Sequence, residues 1–109
     1  MSIHTFDQEI YPSTCDVLFG KGKGIDNHPG NKKYRALISS LANEYDDADK
    51  NQKNILAAKV KDEIHALNGR FLSLQGNEYA IETEKKIRDK IKQAFRDRIK
   101  KRSVPVSRI

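Results

Sequence analysis

The spacing of hydrophobic positions changes several times along the chain, and each change marks the boundary of a predicted element. Residues 14–19, "TCDVLF", are mostly β-branched, aromatic or apolar, which predicts a short strand. From Lys32 the apolar residues recur with a period of about 3.6 residues, which is typical of an amphipathic helix. The predicted buried stripe of this helix consists of Tyr34, Leu37, Ile38, Leu41, Ala42 and Tyr45.

A second helix is predicted after the polar break "DDADKN". Its apolar stripe consists of Leu56, Val60, Ile64 and Leu67, with Ile55 beside it. Asn31 is predicted to cap the first helix and Asp49 or Asn51 the second, because short polar side chains accept hydrogen bonds from free helix amides. Asn68-Gly69 ends the second helix, with Gly69 expected in the left-handed conformation that glycine readily adopts.

The segment "RFLSLQGNEYAIE" predicts a β-hairpin, because two short runs with apolar residues flank Gln75-Gly76-Asn77. Thr83 can cap a third helix that extends to about Arg102. The predicted stripe of this helix is Ile87, Ile91, Ala94, Phe95 and Ile99. Pro105 cannot continue a helix, so the last residues are expected to form a tail.

The predicted fold class is therefore α+β, with a strand, two helices, a β-hairpin and a long C-terminal helix. This order is winged-helix-like, with a three-stranded sheet packed on helices, although here the extra helix comes last instead of first. A plain α+β domain with a three-stranded sheet fits the same order. We expect a single domain over residues 14–102, an N-terminal arm over residues 1–13 and a C-terminal tail over residues 103–109.

Length and composition narrow the class of protein. The 109 residues suffice for one domain. No apolar run reaches the roughly 18 to 20 residues that cross a bilayer, and the first residues lack the pattern of a secretory signal, so we expect an intracellular protein without a membrane partner. Cys15 is the single cysteine, which excludes an internal disulfide, and with three scattered histidines it does not predict a zinc site.

The net charge of +6 is distributed unevenly. Residues 84–109 contain 11 Lys and Arg against 3 Asp and Glu, whereas residues 1–83 contain 10 against 12. This asymmetry favours a polyanionic partner, with nucleic acid the first candidate. Lysine-rich helices that are simply solvated would give the same pattern.

The stretch "DVLFGKGKGIDNHPGNKKYRALI" places glycines and lysines just before the first helix. It matches neither common nucleotide motif. Gly24 and Gly30 are one residue too far apart for a P-loop, and Asn31 stands where the lysine should be. Gly20, Gly22 and Gly24 give G-x-G-x-G instead of the dinucleotide pattern G-x-G-x-x-G. ATP and NAD are therefore not expected, and no cofactor is predicted.

The same loop nevertheless has the composition of an anion site. Glycines allow successive amides to point into one concavity, and a helix start adds unpaired N–H groups and the positive end of its dipole. Lysines at such an end are unfavourable unless an anion is bound. The loop is therefore predicted to dock the phosphate backbone of a nucleic acid. The alternative is that the glycines only make tight turns and the lysines are only solvated.

The motif "DNHPGN" raises an enzymatic alternative, since it superficially resembles part of a ββα-metal nuclease site. His28 would be the base, but neither of the other histidines is placed to help. Cys15 has no accompanying motif that would mark it as a nucleophile, and no carboxylate pair stands out. We therefore do not expect an enzyme, and no catalytic residue or metal ligand is predicted.

The loop resembles the signature D-V-L-x-G-[RK]-G-x5-H-P-G-N-x-x-[FY]-R-x-L, which opens a domain of unknown function abundant in diatoms and related stramenopile algae. The later segment "LNGRFLSLQGNEYAIETEKKIRDKIKQAFRDR" is also similar, with Asn68 in place of a glycine and Tyr79 in place of a tryptophan. The resemblance covers residues 16–98 and implies a shared fold, without a settled biochemical function; members are often suspected nuclear or regulatory proteins. The matching positions are Gly20, Gly22, Gly24, His28, Pro29, Gly30, Asn31, Arg35, Arg70 and Phe71.

Basic residues also flank the apolar stripe of the last helix. One predicted stripe is Lys85, Arg88, Lys92 and Arg96, and another is Lys86, Lys90 and Lys101, interrupted by Asp97. The start of the second helix, residues 51–54, could read base edges, but the aspartates just before it would repel phosphate. We therefore expect the glycine loop, the start of the first helix and the basic last helix to form the contact surface. The run "RIKKR" at residues 98–102 is a candidate nuclear import signal.

The sequence thus predicts a small domain that binds duplex DNA, in preference to RNA, in a nuclear regulatory or chromatin protein. The alternatives are a module that recognises acidic or phosphorylated peptides and a His-dependent metal nuclease. The predicted nucleic-acid-binding residues are Lys21, Gly22, Lys23, Gly24, Asn27, His28, Gly30, Asn31, Lys32, Lys33, Arg35, Arg70, Lys85, Arg88, Lys92 and Arg96.

Overall fold

The computed structural model describes residues 10–20 and 23–103. Most of the predicted N-terminal arm, Lys21, Gly22 and the predicted tail beyond residue 103 lie outside the described residues. The elements in chain order are β1 (Val17–Phe19), α1 (Lys23–Asp26), α2 (Pro29–Asp47), α3 (Lys50–Ala66), β2 (Phe71–Gln75), β3 (Glu78–Ile81) and α4 (Glu84–Ser103). This confirms the predicted α+β class, with the short helix α1 as an addition inside the glycine loop.

The described strands form a mixed sheet in the order β1-β2-β3. β1 runs parallel to β2, with Val17 opposite Phe71. Parallel neighbours need a long crossover connection, which α2 and α3 provide. β2 and β3 form the predicted antiparallel hairpin, with Gln75 opposite Glu78. Gly76 takes a φ of 66° at the first position of the two-residue turn, which glycine accommodates without steric cost.

The core lies where α4 packs against α2 and α3 and where the sheet closes one end of the helices. All three predicted helical stripes contribute buried residues: Ile38, Ala42 and Tyr45 from α2; Leu56, Val60 and Ile64 from α3; and Ile87, Ile91 and Phe95 from α4. The Tyr45 and Phe95 rings stack with centroids 4.2 Å apart. Ile55 and Leu67, which the sequence placed on or beside the α3 stripe, are 52% and 42% exposed.

Two of the predicted helix caps are confirmed. The Asp49 carboxylate accepts a hydrogen bond from the Gln52 amide at 2.8 Å, at the start of α3. The Thr83 hydroxyl accepts one from the Lys86 amide at 3.3 Å, in the first turn of α4. A side chain at each position satisfies a backbone donor that has no partner within its helix.

The predicted left-handed conformation of Gly69 is wrong. Asn68 occupies the left-handed position after α3, with a φ of 66°. Asparagine is among the few residues that tolerate this region. Gly69 is instead required by a close approach, because a Cβ atom there would lie 2.2 Å from the carbonyl oxygen of Cys15.

Candidate functional site

The end of the glycine-rich stretch packs the start of α2 against β1. α2 begins at Pro29, three residues before the predicted start, and His28 is its N-cap residue without a side-chain capping bond. Asn31 therefore lies inside the first turn, and its predicted capping role is wrong. Its Oδ1 accepts a hydrogen bond from the Leu18 amide at 2.7 Å, and its Nδ2 donates one to the Leu18 carbonyl at 2.8 Å.

The side chain of Asn31 thus pairs with β1 much as a neighbouring strand would, by satisfying one backbone donor and one acceptor. Asn31 is only 7% exposed. Both halves of its amide are therefore bonded inside the protein, and its predicted contact with nucleic acid stays a prediction.

Gly30 is required by the same joint. A Cβ atom at this position would lie 1.8 Å from the carbonyl oxygen of Asp16, a distance that no side chain could accommodate without moving the backbone. The start of α2 is therefore packed directly on the chain that leads into β1, whereas the predicted contact of Gly30 with nucleic acid stays a prediction. Gly30 allows this close packing, and its φ is not positive.

Asp16 and Arg70 form an ion pair beside this joint, with the carboxylate buried and the guanidinium partly exposed. The Asp16 carboxylate is fully buried and accepts hydrogen bonds from the Ser13 and Arg70 amides, each at 2.8 Å, and from the Arg70 guanidinium. Burial alone would raise the pKa of Asp16. The hydrogen bonds and positive charge of Arg70, together with the two backbone amides, hold it below its usual value.

The guanidinium of Arg70 also donates to the carbonyl oxygen of Tyr11 at 3.2 Å. Arg70 therefore has a structural role, and its predicted contact with nucleic acid stays a prediction. The guanidinium links β2 to the segment before β1 and neutralises a buried carboxylate.

His28 was considered as the base of a nuclease and as a nucleic-acid contact. Its Nε2 atom hydrogen-bonds to the carbonyl oxygen of Ser13 at 2.8 Å, which ties the N-cap of α2 to the segment before β1.

Within residues 10–20 and 23–103, no group of three His, Cys, Asp or Glu side chains is arranged to hold a metal ion. In that same part of the chain, no helix is both long enough and apolar enough to span a membrane.

The remaining predicted residues around the loop have accessible positions. Gly24 is exposed in α1, and Asn27 is exposed in the link between α1 and α2. Lys32 and Lys33 are exposed near the start of α2. Among the described glycines of the loop, Gly20 has the positive φ, at 152°. The guanidinium of Arg35 donates to the carbonyl oxygen of Asp26 at 2.7 Å, so it bridges α2 and α1.

A groove of about 510 Å³ lies beside the contact between α2 and α4. Residues of the loop, α1, α2 and α4 line it. We call it the basic groove, because Arg35, Lys90, Arg98 and Lys101 line it, opposed by Asp26 and Asp97. Its deeper part is apolar and consists of the buried or half-buried side chains Leu18, Phe19, Tyr34, Ile38 and Ala94. Burial raises the pKa of Tyr34, so its hydroxyl remains protonated at neutral pH.

The ammonium of Lys90 lies 5.1 Å from the centre of the Phe19 ring, where a cation is attracted to the π electrons. This contact holds one cation of α4 directly over the end of β1. The basic groove therefore combines an apolar base with an excess of positive charge at its edge.

The structure divides the basic residues of α4 between two flanks of its buried stripe. Lys90, Arg98 and Lys101 face the loop across the basic groove. Arg88 and Lys92, which were predicted to join the loop in one surface, instead line a pocket on the α3 side.

The other two predicted residues of α4 are engaged on the helix surface. Lys85 forms an ion pair with Asp89 at 3.1 Å, and Arg96 donates to Gln93 at 2.9 Å. The structure therefore brings Lys90, Arg98 and Lys101 to the loop and places Arg88 and Lys92 on the other flank, while the predicted contacts of these residues with nucleic acid stay predictions. The sequence analysis recognised Lys90 and Lys101 as a second stripe, but periodicity alone could not show which stripe faces the loop.

Comparison with known families gives one match, which covers most of the chain. Residues 16–97 match the model of a domain of unknown function, DUF6824. No curated protein and no solved structure shows a significant match.

Proposed function

The chain belongs to the DUF6824 family of domains of unknown function, and we propose that it binds duplex DNA through the basic groove. The observation that carries this proposal is the placement of Arg35, Lys90, Arg98 and Lys101 around one groove that also borders the glycine loop. Four cations against two carboxylates give the groove a net positive charge. A phosphate backbone is a polyanion that such a groove attracts.

The length and charge of α4 support a polymer as the partner. α4 contains ten Lys and Arg residues against three Asp and Glu. At 20 residues it extends over about 30 Å, close to one turn of duplex DNA. A helix of this length can follow a phosphate backbone past several successive phosphates.

Two of the four cations in the groove have no internal partner among the described residues and are available to a ligand. Arg98 and Lys101 form no hydrogen bond or ion pair with another residue in the described part of the chain. Asp97 accepts a hydrogen bond from Gln93 at 2.8 Å, which holds that carboxylate along the helix. A bound phosphate would add acceptors that Arg98 and Lys101 lack, and counterions would be released as it binds.

The test is fluorescence anisotropy with a labelled duplex of about 20 base pairs at several salt concentrations. The wild-type affinity should fall steeply with salt, because each neutralised phosphate contributes about −0.9 to the slope of log K against log salt. The triple variant Lys90→Gln, Arg98→Gln, Lys101→Gln should lose at least about tenfold in affinity and show a shallower slope.

A matched control removes the same number of charges from α3. The variant Lys50→Gln, Lys53→Gln, Lys59→Gln should retain most of the affinity, because these residues do not line the groove. A larger loss in this control than in the groove variant would overturn the proposal and favour the start of α3 as the DNA-reading element. Absence of duplex binding at low salt would also overturn it.

The apolar base of the groove favours a second candidate, a module that recognises acidic peptides with an apolar side chain. Phe19, Tyr34 and Ala94 offer an apolar surface that a DNA backbone does not need. A peptide with a central leucine and flanking glutamates separates the two functions in the same assay. DNA as the ligand predicts weak peptide binding at about 150 mM salt, whereas a peptide module predicts binding that survives this salt.

A further inference from the structure

We infer that the open edge of β3 binds an extended, basic segment of a partner protein, which pairs with β3 as a further strand of the sheet. The described strands have the order β1-β2-β3, so β1 and β3 are the two edges of the sheet. No residue of β3 lines the basic groove, so this inference goes beyond the proposed contact with DNA.

The β1 edge of the sheet is already closed by the protein itself. Leu18 directs its backbone N–H and carbonyl groups away from β2, and the side chain of Asn31 bonds to both. In the described part of the chain, no side chain hydrogen-bonds to the backbone of β3 in this way. An open edge strand is a template for pairing with another chain, because its outer backbone groups lack partners.

The register of the hairpin identifies the outer backbone groups of β3. The Glu82 amide donates to the Phe71 carbonyl at 2.9 Å, and bonded pairs alternate with non-bonded pairs along an antiparallel ladder. Ala80 therefore bonds to β2, whereas Tyr79 and Ile81 direct their N–H and carbonyl groups outwards. Each of these two residues thus presents one donor and one acceptor to a further strand.

One face of the hairpin adds an exposed apolar surface beside this edge. Leu74 and Ile81 are 52% and 60% exposed, and the half-buried Tyr79 lies opposite Leu74 on the same face. A strand paired with β3 would place every second side chain on this face, because successive residues of a strand point to opposite faces. β-branched side chains at those positions would pack against Tyr79 and Ile81.

The opposite face of β3 favours a basic partner. Glu78 is exposed, and its carboxylate forms neither a hydrogen bond nor an ion pair with another described residue. Glu82 follows on the same face, with Ala80 between the two glutamates. A lysine or arginine opposite each glutamate would form the opposite-charge pairs that stabilise neighbouring strands.

The same glutamates disfavour a second copy of this chain as the occupant. Only the register centred on Ala80 pairs both Tyr79 and Ile81 of one copy with the outward-facing residues of the other. That register places Glu78 of each copy directly opposite Glu82 of the other, and like charges in this position destabilise a strand pair. The acidic edge therefore opposes self-association and still accepts a cationic strand.

The test is NMR of the ¹⁵N-labelled full chain with a synthetic peptide whose core is Lys-Val-Thr-Val-Lys. In an antiparallel pair this core puts valines opposite Tyr79 and Ile81 and lysines opposite Glu78 and Glu82. Saturating peptide should slow hydrogen exchange of the Tyr79 and Ile81 amides at least about tenfold, because both amides become hydrogen-bonded. A peptide with glutamates in place of the lysines should bind at least about tenfold more weakly.

Two comparisons separate strand pairing from simple charge attraction. The peptide core Lys-Lys-Thr-Val-Val has the same composition without the alternation, so it should bind at least about tenfold more weakly. Glu78→Lys should weaken binding of the basic peptide and strengthen binding of the acidic one. Glu44→Lys makes an equal change of charge on the exposed surface of α2 and should leave both affinities nearly unchanged.

Ile81→Pro removes one outward N–H group without breaking a bond to β2, since proline is tolerated at such edge positions. It should abolish peptide binding, and circular dichroism checks that the variant remains folded. Glu78→Lys provides the same test at an exposed side chain that the fold does not require.

Absence of saturable binding at about 1 mM peptide would overturn the inference. Equal affinity for the alternating and the rearranged lysine peptides would also overturn it, because charge alone would then explain binding. Slow exchange of the Tyr79 and Ile81 amides before peptide is added would show that another part of the chain or a second copy covers the edge, and would overturn it too. None of these results depends on whether the basic groove binds DNA.

Discussion

At the scale of single residues, the glycine-rich stretch is mainly a joint between a helix and a strand. Gly30 lets the start of α2 approach the backbone at Asp16, and Asn31 then pairs with Leu18 in β1. The adjoining carboxylate of Asp16 is fixed by Arg70. Packing and internal hydrogen bonds therefore explain Gly30 and Asn31, whereas Lys32 and Lys33 of the same stretch remain exposed.

Gly30→Ala is expected to destabilise the protein by about 3 kcal/mol or more, because the new methyl group would overlap the Asp16 carbonyl oxygen. Gly24→Ala is the matched control, since no atom lies within 4 Å of a Cβ at that helical position. The control should be neutral or slightly stabilising, by up to about 1 kcal/mol. Urea unfolding followed by circular dichroism measures both, and similar midpoints for the two variants would contradict the packing role of Gly30.

Asp16 should make the stability of the protein sensitive to acid. Since the pKa of Asp16 is lower in the folded chain than in the unfolded chain, its contribution is complete above the unfolded value of about 3.9. That contribution is lost as the pH falls through the folded pKa. Removing the charge of Asp16 with Asp16→Asn should cost about 1–3 kcal/mol near pH 7, and this difference should shrink as the pH falls below about 4.

Urea unfolding of wild type and Asp16→Asn between about pH 2 and pH 7 measures this difference. The exposed Glu78→Gln provides a control that should stay within about 0.5 kcal/mol of wild type throughout. A difference for Asp16→Asn that does not change with pH would show that the ion pair with Arg70 does not set its cost.

At the scale of elements, the hydrophobic periods predicted much of the fold. The stripes of α2, α3 and α4, the hairpin turn at Gly76-Asn77 and the caps Asp49 and Thr83 were all predicted from local pattern and are present. These features depend on residues close together in the sequence. The order of elements also predicted that β1 joins the hairpin in a three-stranded sheet, but it did not predict that β1 runs parallel to β2.

The candidate site was less predictable for the same reason. Asn31 is a good capping residue by type, and only the proximity of Leu18 makes it a partner for β1. Likewise, both flanks of α4 are basic, and the sequence does not reveal which of them meets the loop. The packing of α4 against α2 places Lys90 and Lys101 there and turns Lys92 towards α3.

The end of α3 provides a test at this scale. Asn68 holds the left-handed position after the helix, where a non-glycine residue without a short polar side chain is strained by about 1–2 kcal/mol. Asn68→Ala should therefore be destabilising by about 1 kcal/mol, whereas Asn68→Gly should be neutral or stabilising. Thermal unfolding of the two variants checks the order, and a more stable Asn68→Ala would contradict the assigned backbone conformation.

At the scale of the whole molecule, α4 is both the centre of the core and the principal source of positive charge. Its buried stripe packs on α2 and α3, and its two basic flanks border two different cavities. We propose duplex DNA for the flank with Arg98. The two flanks can be altered independently, because no residue lines both cavities.

The most direct test of the central claim is an NMR titration of uniformly ¹⁵N-labelled protein with a duplex of about 16 base pairs at low salt. The proposal predicts that the largest amide shifts follow the basic groove, at Gly20, Arg35, Lys90, Arg98 and Lys101. Amides near Arg88 and Lys92 should shift much less. Shifts confined to the start of α3 at residues 51–54, or no shifts at any duplex concentration, would contradict it.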